Sequence, residues 1–342
     1  MKRIVATVLL FPLLAVLASA ARTLEIFFID VEGGQSTLIL TPDGQSLLID
    51  AGYGGRGNRD PDRIMAAMRD ARIDQIDYLL VTHYHPDHVG GVPELASRIP
   101  IGTFIDYGAP LGSDRMTTGS FRSYEPVRSQ HRHLQPQPGD RLPLTGIEAT
   151  VVSAGGAILT TPLSGGGQAN ESCATVEDHP VDGTENFRSI GVMLRFGSFR
   201  FLDLGDLSGN TLASLVCPIN LLGDASVYLI AHHGDYDSSL PAFYDALRPR
   251  VAILNNGATK GGVREAFRAA RAQPGLEDLW QLHESQNPGA SNSEDSFIAN
   301  VDEGGTGYRI RLTARADGSF QIVNGRTGFT KAYPRPSGED RR

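Results

Sequence analysis

The decapeptide THYHPDHVGG, Thr82 to Gly91, constrains this chain more than any other segment. It follows the apolar run Tyr78-Leu79-Leu80-Val81, which reads as a buried strand. Three imidazoles and a carboxylate therefore stand at the end of an element that belongs inside the molecule. Along extended backbone, residues i and i+2 point the same way, so His83 and His85 face one point. Pro86 forces a turn, after which Asp87 and His88 face a second point nearby. Imidazole suits zinc and neighbouring transition metals, and carboxylate widens the choice to harder ions such as manganese. The segment reads as half of a two-metal site. The alternative, capping or surface histidines, fits their distribution poorly. Of nine histidines, five fall in two clusters, 83/85/88 and 232/233, each at the end of a predicted buried strand.

The flanking pattern supplies sheets to carry such a site. Strands are predicted over 24–31, 36–41 and 45–50, separated by Gly33-Gly34 and by the Pro42-Asp43-Gly44 turn. A helix is predicted over 60–72, where Ile64, Met65, Met68 and Ala71 recur at helical spacing behind Asp60-Pro61, read as cap and first-turn proline. Strands follow at 103–107 and 147–153. Between them, residues 111–140 are polar and without a clear period, a loop insertion lying either over a site or on the surface. A Gly/Ser/Thr-rich loop over 154–185 carries Cys173. Strands at 189–196, 200–204, 227–231 and 251–254 then alternate with helices at 210–215, 240–247 and 263–272, before strands at 297–301, 308–314 and 320–323. Two runs of strands, each followed by strand and helix alternation, imply two sheets packed face to face with helices outside. The class is α/β, with one domain over 21–342 and an insertion at about 110–140.

The motif H-x-H-x-D-H, as His83, His85, Asp87 and His88, resembles the signature of the metallo-β-lactamase superfamily. Leu48-Ile49-Asp50-Ala51-Gly52, Leu204-Gly205-Asp206 and Ala231-His232-His233-Gly234 agree with it in order, so the resemblance spans roughly 24–256. Within the superfamily the chain is most similar to the branch containing the hydrolase domain of ComEC-type DNA-uptake channels, on Asn186, Ser189 and the His232-His233-Gly234 followed by Ser238-Ser239. The resemblance implies a four-layer αββα sandwich and two divalent ions, zinc with manganese as the alternative. It implies His83 and His85 on the first ion, Asp87 and His88 on the second, Asp206 between them, and His232 completing the second. His233 is left as a neighbour, catalytic or in contact with substrate. Asp87 would both ligate and hold the attacking water, and Asp50 would orient a ligand histidine. Asn186, Ser189, Asn256 and Lys260 are the remaining candidates for supporting or substrate contacts.

Two departures bear on chemistry. Lactamase, lactonase and glyoxalase members carry a further histidine after the strand that here ends Val152-Ser153-Ala154, and none stands there. The ComEC-type branch lacks it as well, so water or His179 from the following loop would complete the first ion. Gln35 stands where that branch has an aspartate, and an amide supplies no charge. The loop Asn255 to Gly262 replaces a histidine-containing one. Its amides and Lys260 read either as a receiver for an anionic group or as a tight strand-to-helix turn. Trp280 to His283 read either as pocket lining or as a buried strand with a paired histidine.

The function these observations favour is an exported, metal-dependent hydrolase of a small phosphoester or phosphodiester. The alternatives are another ester or lactone hydrolase of the same fold and a non-catalytic, metal-containing binding module. A formal charge of -8 disfavours long nucleic acids, leaving a small-molecule substrate as the partner. Residues 1–20 have the charged, apolar, small-residue order of a secretory signal peptide, which implies a secreted or periplasmic protein with no membrane span once it is removed. Cys173 and Cys217, the only cysteines, form either one bridge or two buried thiols.

Overall fold

The computed structural model describes residues 22–110, 112, 114–176 and 184–336; the predicted leader and His179 lie outside them. The amino-terminal half runs β1 (Leu24–Phe28), β2 (Thr37–Leu40), β3 (Ser46–Ile49), α1 (Arg59–Ala71), β4 (Ile76–Leu80), α2 (Pro86–Val89), α3 (Val92–Ala96), β5 (Ile101–Ile105), α4 (Arg115–Arg128) and β6 (Arg132–Leu134). It continues with β7 (Glu148–Ala154), β8 (Ala157–Ile158), β9 (Gly191–Phe196), β10 (Phe199–Asp203), α5 (Gly209–Ser214), β11 (Val227–Leu229), α6 (Pro241–Leu247), β12 (Val251–Leu254), α7 (Arg264–Ala272) and β13 (Asp278–His283). Four strands remain: β14 (Ile298–Asn300), β15 (Ile310–Ala314), β16 (Phe320–Asn324) and β17 (Thr330–Tyr333).

These strands form a nine-stranded sheet, ordered β17-β16-β15-β1-β2-β3-β4-β5-β6, and an eight-stranded sheet, ordered β14-β13-β12-β11-β10-β9-β7-β8. The hairpin strands pair antiparallel, whereas β3-β4-β5-β6 and β10-β11-β12-β13-β14 pair parallel. Parallel strands need crossovers, and the helices α1 and α5 to α7 supply them, covering the outer faces. On β10 and β11 successive residues serve opposite faces. Phe201, Val227 and Leu229 enter the core between the sheets, while Leu202 and Tyr228 pack with Phe243, Leu247 and Phe267 beneath the second sheet's helices. Burying such side chains contributes about 1.5–3 kcal/mol each, and that fixes which face is which. The result is the αββα layering of the metallo-β-lactamase fold.

Two local expectations need correction, and one alternative is decided. Residues 111–140 are not simply a loop: they contain α4, capped by Asp114, whose carboxylate accepts from Thr117 N at 2.8 Å, and the edge strand β6. Glycine, serine, threonine and a proline inside α4 blur the 3.6-residue period that would have revealed it. Asp60 is not the cap of α1. Asn58 holds that position in a left-handed conformation, and the buried Asp60 carboxylate instead accepts from Tyr53 N at 2.7 Å. Trp280 to His283 form the buried strand β13, with Trp280 Nε1 donating to Tyr333 Oη at 2.9 Å rather than lining a pocket. Cys173 and Cys217 are joined as a disulfide. No helix among the described residues is long and apolar enough to cross a membrane.

Candidate metal centre

Parallel strands deliver the loops of both sheets to one edge, where β3, β4, β10 and β11 end. Asp50 follows β3 in a left-handed conformation, φ 59°, and its buried carboxylate accepts from Thr82 N at 2.8 Å and from Thr82 Oγ1 at 2.7 Å. The same carboxylate lies 2.7 Å from His88 Nδ1. With Nδ1 turned to Asp50, Nε2 is the ring nitrogen that His88 aims at the centre, the arrangement a metal-binding imidazole needs. Between His83 and His85, Tyr84 points the other way, into a box of Tyr107, Phe121 and Tyr124. Strand alternation thus clamps the motif from behind while both imidazoles face forward.

Asp87, His88, Asp206 and His233 converge. His88 Nε2 lies 3.4 Å from Asp87 Oδ2, 3.1 Å from Asp206 Oδ2 and 3.3 Å from His233 Nε2. His233 Nε2 lies 3.3 Å from Asp87 Oδ2 and 3.3 Å from Asp206 Oδ1. Four donors arranged tetrahedrally about an ion at about 2.0–2.1 Å stand about 3.3–3.4 Å apart, so these separations match a zinc-type cage. A second group, His83, His85 and Asp206, shares the same aspartate. His83 Nε2 and Asp206 Oδ1 are buried without a hydrogen-bond partner, which is costly for groups this polar unless an ion takes them up. The residues present fit two divalent ions sharing Asp206.

His232 is the sequence-derived residue that does not join this group. Its Nδ1 lies 2.6 Å from Asp237 Oδ1 and its Nε2 lies 3.2 Å from Asn186 Nδ2, leaving Nε2 3.8 Å from Asp206 Oδ2. His233 takes the place expected of it. Both histidines have positive φ, 49° and 53°, so the backbone between β11 and α6 turns tightly and sends the second ring inward. Asn256 is likewise turned away: its amide spans Gly257 O at 2.9 Å and His283 O at 3.0 Å, a strut rather than a substrate contact. Ser189 is close, its Oγ 3.4 Å from His83 Nδ1 and accepting from Asp206 N at 3.2 Å. Ser153, near the end of β7, is consumed by Ser189 O and Gly191 N, both at 2.9 Å, and among the described residues the first group has three donors.

Lys260 lies against Asp87 Oδ2 and 3.4 Å from Tyr53 Oη. Its loop is built onto both metal-bearing segments. Gly262 N donates to His233 O at 2.8 Å, and at Gly261, φ +66°, an added Cβ would stand 2.1 Å from His233 O. Gly34 approaches Asp87 as closely, its would-be Cβ 2.4 Å from Asp87 O. Only glycine permits either contact.

Charge balance follows from this crowding. Burial, then the neighbouring His88, holds the His83 imidazole well below its usual range. Burial also acts most strongly against ionised Asp87 and Asp206, but His88, His233 and Lys260 together outweigh it at Asp87, and His233, His88 and His232 together outweigh it at Asp206, so both stay well below the usual carboxylate range. Burial opposes charge on His88 too, and Asp206, Asp87 and Asp50 overcome it, placing that imidazole well above its usual range. A proton on His88 occupies the position a divalent cation would take. His232, opposed by burial but held by Asp206 and Asp237, is pushed up to about 9. Thr82 and Asp237 were not singled out from the sequence. Their only signal was adjacency, Thr82 beside His83 and Asp237 five residues past His232.

Residues 29–153 match the family described as the Metallo-beta-lactamase superfamily. Among curated proteins, the chain is 37% identical over 67 residues to an atrochrysone carboxyl ACP thioesterase of Aspergillus fumigatus, covering 20% of each chain. It is 29% identical over 98 residues to a metal-dependent hydrolase of Staphylococcus epidermidis, covering 29% of this chain and 36% of that protein. The chain thus spans between 20% and 36% of the length of these relatives. Among solved structures, one described as a metal-dependent hydrolase of the β-lactamase superfamily superposes with a TM-score of 0.44 at 14% identity, covering 76% of this chain and 95% of that one.

Proposed function

We propose that this protein is a metal-dependent hydrolase with two divalent ions, zinc with manganese as the alternative, acting on a small phosphoester or phosphodiester. The observation that carries it is the convergence of Asp87, His88, Asp206 and His233, in which the two imidazole Nε2 atoms lie 3.1–3.4 Å from each other and from both carboxylates, beside a second set sharing Asp206. We assign Asp87, His88, Asp206 and His233 to one ion and His83, His85 and Asp206 to the other. A structural zinc site is a closed cage, whereas the His83 group has three protein donors among the described residues, which leaves a position for water or substrate. When bound, two such ions supply an acidified water and polarise a phosphoryl or carbonyl oxygen.

The chain's own residues do the rest. Asp50 and Thr82 fix the His88 ring, and Asp206 holds the two donor groups in register. We assign Asp87, whose Oδ2 faces the donor cluster, to hold the attacking water through a hydrogen bond accepted by its other oxygen, Oδ1. We assign His232, which Asp237 orients with Nε2 3.8 Å from Asp206 Oδ2, to contact with the substrate's leaving group. The missing imidazole after Val152-Ser153-Ala154 weighs against lactam and thioester substrates, and a charge of -8 weighs against polyanions. Export is part of the proposal: the leader-like order of residues 1–20 and the Cys173–Cys217 disulfide both suit an oxidising compartment.

The test is metal content by mass spectrometry together with turnover of an aryl phosphodiester, an aryl phosphomonoester, a lactone and a lactam, with and without chelator. Two ions per chain and chelator-sensitive cleavage of a phosphoester are expected. Two ions with no turnover on any of the four would overturn hydrolysis in favour of metal-dependent binding.

A further inference from the structure

The hydrolase reading leaves Lys260 unexplained. Of the two lysines among the described residues, Lys260 and Lys331, it is the one that reaches the metal centre, in a chain whose positive charge is mostly arginine. Its backbone is not free to wander: Gly257 N donates to Lys260 O at 2.9 Å, the next two residues are pinned against His233, and Gly33 packs on its Cβ. The side chain is different, since 40% of it is exposed toward solvent. A rigidly placed stem with an accessible ammonium is how a fold presents a charge to something that comes and goes.

Two partners compete for that ammonium. One is Asp87 Oδ2, the same oxygen that stands 3.4 Å from His88 Nε2 and 3.3 Å from His233 Nε2. A divalent ion held by these donors needs that oxygen, and two cations cannot both sit on it. The other is Tyr53, whose hydroxyl is 3.4 Å from Nζ and whose ring centroid is 5.6 Å away. Tyr53 also carries the exposed Arg56 guanidinium, 4.5 Å from its ring centroid. Tyr53, Arg56 and Lys260 thus form a cationic lip beside the donor cluster on an otherwise acidic protein.

We propose that Lys260 is an exchangeable counter-ion: it pairs with Asp87 in the metal-free centre and, once a divalent ion takes Asp87, lends its charge to the Tyr53–Arg56 lip to receive the anionic group of a substrate. In its second half the idea rests on the hydrolase reading, and it narrows the substrate to one bearing negative charge beside the scissile bond. In its first half it concerns only metal binding. An internal competitor weakens metal affinity, whereas a lysine needed to hold Asp87 in place would strengthen it.

The test compares wild type with Lys260→Met, which keeps the apolar stem and removes the charge, and with Lys260→Arg, which keeps a competitor and serves as the folded reference. Metal-depleted proteins are titrated with zinc against a chromophoric chelator. The weaker zinc-binding event should tighten about tenfold in Lys260→Met and not in Lys260→Arg; unchanged or weaker binding in Lys260→Met overturns the exchange. Zinc-loaded proteins are then titrated with inorganic phosphate by calorimetry. Lys260→Met should bind it about tenfold more weakly, and equal phosphate affinity overturns the anion-receiving role. Neither readout needs turnover, so a protein that shows both shifts yet cleaves no ester defeats the hydrolase reading and leaves this one standing.

Discussion

At the scale of single residues, the centre depends on which ring nitrogen points where. His233 places Nε2 within 3.3 Å of Asp87 and Asp206, whereas His232 is held by Asp237 and Asn186. His233→Ala should therefore lose one of two ions by mass spectrometry, and His232→Ala should keep both while losing turnover. Asp203 carries a different consequence. It is buried, Gln35 Nε2 donates to its Oδ1 at 2.9 Å, and Oδ2 has no hydrogen-bond partner. Burial, reinforced by Asp50 and opposed by the Gly205 and Gln35 donors, pushes its carboxyl up to about 7. Between its unfolded value of 3.8 and about 7 the folded chain keeps a proton that the unfolded chain has lost. This contribution is full below the unfolded value and is lost as pH rises through about 7. In chelated protein, Asp203→Asn should remove on the order of 2 kcal/mol of the stability loss between pH 5 and pH 8, read from urea unfolding. An unchanged pH slope would place the titrating group elsewhere.

At the scale of elements, α4 decides whether the polar insertion is decoration. Its attachment is the buried Asp106, which accepts from Tyr124 Oη at 2.7 Å, from Arg128 Nη1 at 3.2 Å and from Gly108 N at 2.7 Å, and lies 2.9 Å from His133 Nε2. Phe121 and Tyr124 of the same helix meet the Tyr84 ring at 4.8 and 5.9 Å, directly behind His83 and His85. The insertion therefore buttresses the histidine motif. Asp106→Ala leaves the buried Tyr124 hydroxyl without its acceptor and the half-buried Arg128 guanidinium without its carboxylate, which costs about 1–3 kcal/mol. Urea unfolding should show that loss, and zinc titration should show weaker binding at the His83 and His85 group. Lost stability with undiminished zinc affinity would mean that α4 supports the fold without supporting the site.

At the scale of the whole molecule, the metal centre lies where loops from both sheets meet, so its geometry is only as firm as the packing of the two layers. The long segment between β8 and β9, which brings Asn186 to His232, is tied to the turn after α5 by the Cys173–Cys217 disulfide. That bond closes a span of 44 residues, for which the chain-entropy account gives about 4 kcal/mol. A Cys173→Ser/Cys217→Ser double variant should lose stability of that order in guanidinium unfolding. It should still bind two zinc ions, because neither sulfur approaches a donor. Loss of an ion in a folded double variant would show that the segment between β8 and β9 also shapes the metal site.

Much of this was legible in the sequence because it rests on short-range pattern. Alternating apolar runs located most strands, since a strand buried on one or both faces has to be written in periods of two or in unbroken apolar stretches. The spacing of His83, His85, Asp87 and His88 set two facing points, because extended backbone followed by proline leaves few directions for a side chain. Tertiary structure alone decided the rest. Whether His232 or His233 turns inward depends on two successive positive φ angles that no periodicity encodes. Asn256 braces β13 and Lys260 meets Asp87 only because loops from opposite sheets come together. The helix α4 escaped notice because its hold on the fold comes from a buried aspartate on another strand and not from its own weak amphipathic pattern. The sequence determined which donors exist and on which strand ends they stand. Packing determined which of them share a point, because that distance is set by how two sheets meet and not by separation along the chain.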